Sequence, residues 1–201
     1  MPLSKLKHEK QCWDKGLTFV AGVDEVGMGC LAGPVVAAAV VLSSHTVLPD
    51  GIDDSKKLSP KRRELLALGI RESAVSFALG MASVEEIDAI NIYQAARLAM
   101  KRAVESLTVH PEFLLIDGRA KLDSPIAQLS LVKGDQLSVS IGAASILAKV
   151  YRDELMREMD ETYPGYDFAQ HKGYGSVAHR RSLQEKGPSP LHRKSFSWTP
   201  V

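Results

Sequence analysis

Four acidic residues stand where chemistry is usually built. Asp24 and Glu25 follow the apolar run that starts at Thr18, Asp117 closes the run that starts at Glu112, and Asp135 lies in Gly134-Asp135 ahead of a long helical pattern. The ends of buried strands are where an α/β sheet brings residues distant in sequence together. Each acid alone has an ordinary use, since Asp117-Gly118 makes a good turn and Asp135 suits a helix approach. Clustered and unpaired, they would repel and raise one another's pKa, and a divalent cation is the economical relief. A donor set of carboxylates without His or Cys favours Mg²⁺ or Mn²⁺ over zinc. Two such ions roughly 4 Å apart clamp the attacking and leaving oxygens of an in-line phosphoryl displacement. The constellation points to phosphodiester chemistry.

The turn after the first acids, Gly27-Met28-Gly29-Cys30-Leu31-Ala32, also fits a G-x-G-x-x-A dinucleotide fingerprint. That use requires a helix to open behind the glycines, whereas Gly33-Pro34 and a Val-rich run follow. Asp24 and Glu25 would moreover face the pyrophosphate. A better use of Gly27 and Gly29 is close backbone approach to a sugar or phosphate, which a Cβ obstructs. Charge is uneven as well. Residues 169–201 carry six basic groups, Lys172, Arg180, Arg181, Lys186, Arg193 and Lys194, and one acid, Glu185. This +5 stretch, with His171, His179 and His192, is either a solvated tail or a phosphate-facing surface beside a body of charge −4, given +1 for the whole.

The elements that must position these residues are legible from periodicity. Residues 18–24 and the β-branched run 34–42 read as strands, 74–82 as a third strand nearer an edge, 112–117 as a buried strand, and 129–132 as another. Ser59-Pro60 opens a helix with Ser59 as N-cap and Pro60 in the first helical position. Ser83 with Glu86 forms a capping box, and the helical pattern resumes from Ile92 to Val104. Residues 138–161 carry a broad apolar helical stripe, and a last helix runs from about 176 to 186 before Gly187-Pro188. Strands then helix, strand and helix imply a mixed sheet with helices packed on it.

At 201 residues one domain is expected over 1–201, with 163–201 as a basic helical appendage. With 45% apolar and 24% charged residues the composition is that of an ordinary globular chain and excludes disorder, collagen and coiled coil. Aromatic residues at 6% are too sparse for a surface that grips single strands mainly by stacking. No apolar run is long enough for a membrane span, and residues 1–10 show no secretory pattern. Two cysteines, Cys12 and Cys30, make neither a disulfide framework nor a thiolate cage, which fits a reducing compartment and a cytoplasmic location.

The chain closely resembles bacterial ribonuclease HII, the type 2 ribonuclease H. The matching blocks are DEVGMG at 24–29 with CLAGPVVAAAV, DDSKKLSPKRRE at 53–64, EIDAINIYQAARLAM at 86–100, LLIDG at 114–118, KGDQLSVSIGAASILAKVYRDE at 133–154, HKGYG at 171–175 and GPSPLHRKSF at 187–196. Seven collinear blocks are highly specific. The resemblance implies an RNase H-like α/β fold, a five-stranded mixed sheet flanked by helices with a small helical C-terminal part. It implies an endonuclease that cuts the RNA strand of RNA–DNA hybrids and cuts 5′ of ribonucleotides embedded in duplex DNA, leaving 3′-hydroxyl and 5′-phosphate ends.

By the same resemblance Asp24, Glu25, Asp117 and Asp135 hold Mn²⁺ or Mg²⁺, with Asp153 a rival for the fourth place unless it pairs with Lys149. Gly27, Met28, Gly29 and Tyr174 match positions that read the 2′-hydroxyl, the group that marks RNA. Lys56, Lys57 and Lys149 match positions that meet the phosphate backbone. The expected partner is the nucleic acid, the chain is expected to act as a monomer without a membrane, and no protein partner is indicated. One departure stands out: the family's turn usually reads Gly-Arg-Gly, and here Met28 replaces the arginine. Weaker, less salt-sensitive binding with retained chemistry is the expected consequence.

Overall fold

The computed structural model describes residues 3–201, Leu3 and Ser4 by backbone alone. After a 3₁₀ turn at Leu3–Leu6 come helix α1 (Lys7–Trp13), strands β1 (Val20–Val26) and β2 (Val35–Leu42), helix α2 (Pro60–Ser73) and strand β3 (Ser76–Ala82). Helices α3 (Val84–Ile90) and α4 (Ile92–Glu105) lead to strands β4 (Phe113–Asp117) and β5 (Ala127–Leu131). The short α5 (Gly134–Leu137), the long α6 (Val139–Thr162), the one-turn α7 (Phe168–His171) and α8 (Val177–Lys186) complete the chain.

The sheet runs β3-β2-β1-β4-β5. β2 is antiparallel to both β1 and β3, whereas β1, β4 and β5 run parallel to one another. This is the mixed five-stranded sheet that the periodicity and the resemblance imply, and β3 lies at its edge. β1 and β2, two of the three inner strands, bury nearly every residue, consistent with their continuous apolar runs.

Side-chain alternation divides the core into two layers. Ala21, Val23, Ala37 and Ala39 pack with Ala95, Ala99 and Ala103 of α4 on one face. Val36, Ala38 and Val40 pack with α2 and with Ala143, Ala144 and Leu147 of α6 on the other. Residues 139–148 of α6 are buried on every side. Gly22 lets α6 lie directly on β1, because a Cβ there would run into the Ser140 backbone.

Local signals decide the boundaries. Ser59, Ser83, Ser138 and Ser176 each cap a helix through the side-chain oxygen, and Ser83 with Glu86 forms the full capping box. Asn91, at φ 68°, separates α3 from α4 and caps the latter through the N–H groups of Tyr93 and Gln94. Helices α1, α5 and α7 carry no readable sequence pattern, since four to seven residues are too few for a helical period. Among the described residues no helix is long and apolar enough to cross a membrane.

Candidate active site

β1 and β4 run side by side in register from Val20 opposite Phe113 to Val23 opposite Ile116. Asp24 and Asp117 are the next residue on each strand, so parallel pairing brings both acids to the same end of the sheet. Strand alternation then sends Asp24 and Glu25 to opposite faces. Asp24 is buried on the α6 side, where it accepts bonds from the Ser145 hydroxyl and, at 2.8 Å, from the Glu25 N–H. Glu25 faces α4 and lines a cleft of about 160 Å³ with Met28, Tyr93, Arg97, Asp117 and Arg119. Asp117 Oδ1 accepts the Gly134 N–H at 2.6 Å, which ties β4 to α5 and to Asp135 in that helix's first turn. Lys133, in the left-handed region at φ 59°, makes the corner that allows this.

The acids sense one another. Burial, then the charges of Glu25 and Asp117, push Asp24 well above the ordinary carboxylate range. Burial and Asp117 raise Glu25 to about 7, with Lys56 pulling the other way. Asp135 is raised by burial, by Asp54 and by Asp117, and again eased by Lys56. Asp54, which the sequence did not single out, thus stands at the rim of the same acidic group. The donor set is all carboxylate, and its repulsion is unrelieved by any His or Cys. That chemistry suits a hard divalent cation. Among the described residues no three His, Cys, Asp or Glu side chains close into a ready cage. An ion held on this open row would complete its shell with water and substrate oxygen, as Mg²⁺ usually does.

The Gly-rich segment does not open a helix. Gly27, at φ 99°, starts a tight turn closed by the Cys30 N–H on the Gly27 carbonyl at 3.3 Å, and β2 follows. The dinucleotide reading fails on this geometry. Cys30 bridges Tyr174 in an isolated antiparallel pair, so the turn and the HKGYG segment are neighbours despite lying 144 positions apart. The Tyr174 ring is partly exposed, with Lys149 Nζ 5.4 Å and Arg152 Cζ 6.0 Å from its centroid.

Three comparisons place this architecture. The family model for ribonuclease HII matches residues 21–199. The chain is 51% identical over 205 residues to a ribonuclease HII of Geobacter sulfurreducens, covering 98% of this chain and 94% of that protein. It is 54% identical over 193 residues to one of Myxococcus xanthus, covering 96% of this chain and 66% of the other. The chain belongs to the ribonuclease HII family. Among solved structures, the ribonuclease H2 of Pyrococcus horikoshii superposes with a TM-score of 0.74 at 24% identity, covering 89% of this chain and 93% of that one. A ribonuclease HII from Archaeoglobus fulgidus, described in complex with PCNA, gives 0.74 at 26% over 91% and 97%. As a ribonuclease HII the protein is an endoribonuclease, a phosphodiester hydrolase.

Within this ribonuclease HII, the lysines divide. Lys56 lies close enough to ease the charge of both Glu25 and Asp135. Lys57 is exposed and its charge acts on Asp53, outside the acidic row. Lys149 pairs with Asp153 Oδ1 at 2.6 Å, and Arg63 reaches Asp153 Oδ2 at 3.4 Å. Asp153 is therefore engaged by two cations, as the Lys149 pairing expected from its place in the helix requires. Arg63 also donates to the carbonyls of Ser55 and Leu58, anchoring the loop that carries Lys56.

Two further residues escaped the sequence reading. Arg193 belonged, by sequence, to the exposed basic stretch, yet it is 3% exposed. Arg152 is fully buried. Its signal was available, since it falls on the α6 stripe of Ala148 and Met156, four residues to either side. Arg193 offered none.

Proposed function

We propose that this ribonuclease HII hydrolyses the RNA strand of RNA–DNA hybrids and cuts 5′ of ribonucleotides embedded in duplex DNA, leaving 3′-hydroxyl and 5′-phosphate ends. The observation that carries the reading is the parallel β1–β4 register. It sets Asp24 and Asp117 side by side, with Glu25 and Asp135 joined to them through mutual repulsion. Asp24, Glu25, Asp117 and Asp135 would hold Mg²⁺ or Mn²⁺. Such a cation supplies charge against the phosphodiester and acidity to an attacking water.

The chain's own residues do the rest. The Ser145 hydroxyl and the Glu25 and Gly134 N–H groups fix carboxylate oxygens of Asp24 and Asp117 in orientation, so that little reorganisation accompanies ion binding. Lys56 offers a cation at the rim for a backbone phosphate, and Lys149 offers a second beside Tyr174. Gly27, Met28 and Gly29 present backbone to the ribose, and the Tyr174 ring packs on the neighbouring sugar. Lys57, exposed and acting on Asp53 rather than on the four acids, is a peripheral phosphate contact. We place the protein in the cytoplasm as a monomer, with residues 163–201 as a helical appendage to one catalytic domain. Cys12 and Cys30, free and buried, suit a reducing compartment.

The test is cleavage of a duplex containing one ribonucleotide, with Mn²⁺, with Mg²⁺ and with chelator. Wild type is expected to nick 5′ of the ribonucleotide only with metal, and Asp117→Asn to lose this activity. Binding without cutting in either metal would replace the nuclease reading with that of a hybrid-binding protein.

A further inference from the structure

Arg152 and Arg193 lie beneath the Gly27–Gly33 segment, and among the described residues neither makes an ion pair with a carboxylate. Burying a charge this way is costly unless its donors are matched. Each guanidinium is matched entirely by backbone carbonyls. Arg152 donates to Ala32 at 3.0 Å, Pro34 at 3.0 Å and Lys172 at 2.8 Å. Arg193 donates through Nη2 to Gly27 at 2.7 Å, through Nη1 to Met28 at 2.9 Å, and through Nε and Nη2 to Gly33 at 3.0 and 2.8 Å. Its guanidinium also sits 5.0 Å from the Phe196 ring centroid, which holds it from the far side.

The direction of these bonds has a consequence at the surface. No peptide bond among the described residues is cis. In a trans peptide the carbonyl and the following N–H point to opposite sides. With the carbonyls of Gly27 and Met28 drawn inward to Arg193, the N–H groups of Met28 and Gly29 are turned outward. Among the described residues neither is bonded to a protein acceptor, and Gly29 is exposed. Two adjacent free donors therefore stand beside the Cys30–Tyr174 bridge.

We propose that Arg193 is a positioning residue for substrate recognition: it presets the Gly27–Cys30 turn so that the Met28 and Gly29 amides form a rigid donor pair for a ribose oxygen. It also places beneath the turn a positive charge that Met28 does not supply. Arg193 touches no substrate and acts through the backbone it holds. Lysine cannot replace it, since one ammonium does not reproduce a planar fork spanning three carbonyls. This inference rests on the reading that the turn recognises ribose.

The experiment compares wild type, Arg193→Lys and Met28→Pro by the ratio of Kd for an all-DNA duplex to Kd for the same duplex with one ribonucleotide, alongside kcat and KM for cleavage. Proline suits the second position of the turn and removes one outward N–H while leaving Arg193 in place. Both variants are expected to lose about tenfold in the ratio, with the loss appearing in KM rather than kcat. A folded Arg193→Lys protein that keeps the wild-type ratio overturns the proposal. If that variant does not fold, a Met28→Pro protein with the wild-type ratio overturns it instead. Should wild type itself fail to prefer the ribonucleotide, the reading of the turn falls, and this inference with it.

Discussion

His179 and His192 meet Nε2 to Nε2 at 2.9 Å. The surrounding bonds settle which carries the proton. The Ser189 N–H donates to His192 Nδ1, so the His192 proton sits on Nε2 and is given to His179 Nε2. His179 then carries its proton on Nδ1 and donates to the Tyr174 carbonyl at 2.9 Å. His171 stacks on His179 with ring centroids 4.2 Å apart, accepts the Gly173 N–H and donates to the Tyr166 carbonyl. All three rings are neutral in this arrangement, and together they brace the backbone of Tyr174.

Stability should therefore fall in acid. Burial holds His179 down at about 4, and burial lowers His171 and His192 as well. The unfolded chain takes up protons near the ordinary pKa of 6.5 while the folded chain resists, so stability present above 6.5 is lost as pH falls toward 4. Asp24 and Glu25, raised by folding, act in the opposite sense, so the comparison must be between variants. Melting temperature followed from pH 7 to pH 4.5 is expected to fall more steeply for wild type than for His179→Gln. Equal slopes would show that this imidazole does not carry the effect.

Removing one of the crowded acids should trade activity for stability. At pH 7 Asp24 folds into a site where burial, Glu25 and Asp117 all oppose its charge. Asparagine keeps an oxygen for the Ser145 and Glu25 donors and has no charge to repel. In chelator, Asp24→Asn is expected to be more stable by about 1 kcal/mol or more, some 2–4 °C for a chain of this size. Its cleavage rate should drop roughly a hundredfold or more. A variant that melts below wild type in chelator would contradict the repulsion argument.

Asp153 offers a contrast with the four acids proposed to hold a cation. Its side chain and those of Lys149 and Arg63 are all about 90% buried. Breaking such a pair from one side strands the remaining charges and costs about 3–5 kcal/mol. Asp153→Ala should thus unfold at markedly lower denaturant, while the Mn²⁺ concentration for half-maximal activity of its folded fraction stays near that of wild type. A large rise in that concentration with unchanged stability would return Asp153 to the metal set.

A charge at position 28 is expected to change the salt response of binding. Met28 is half-buried against the α4 side of the core and lines the cleft beside Glu25 and Asp117. Met28→Arg adds a cation next to a backbone phosphate, so substrate Kd should tighten and the slope of log K against log salt should steepen by about one. Filter binding across a salt series reads both. A variant with unchanged affinity and slope would mean that residue 28 contributes only its backbone.

The sequence by itself determined a great deal: the strand runs, the caps at Ser59 and Ser83, the edge position of β3 and the candidate acids. These follow from short-range rules, because period, capping and apolar runs are properties of a few consecutive residues. It also separated Gly27–Ala32 from a dinucleotide loop, since Gly33-Pro34 and a β-branched run cannot open a helix. The tertiary structure alone decided which charges are spent inside. Arg193 and Lys194 are adjacent in a basic stretch, yet one is buried under a turn some 165 residues away and the other is exposed. Asp135 and Asp153 flank one segment, and only packing against Lys149 and Arg63 separates the acid free to hold a cation from the acid already neutralised. The reason is physical: the worth of a charge depends on its distance to other charges and to water, and both are set by which strands and helices lie side by side.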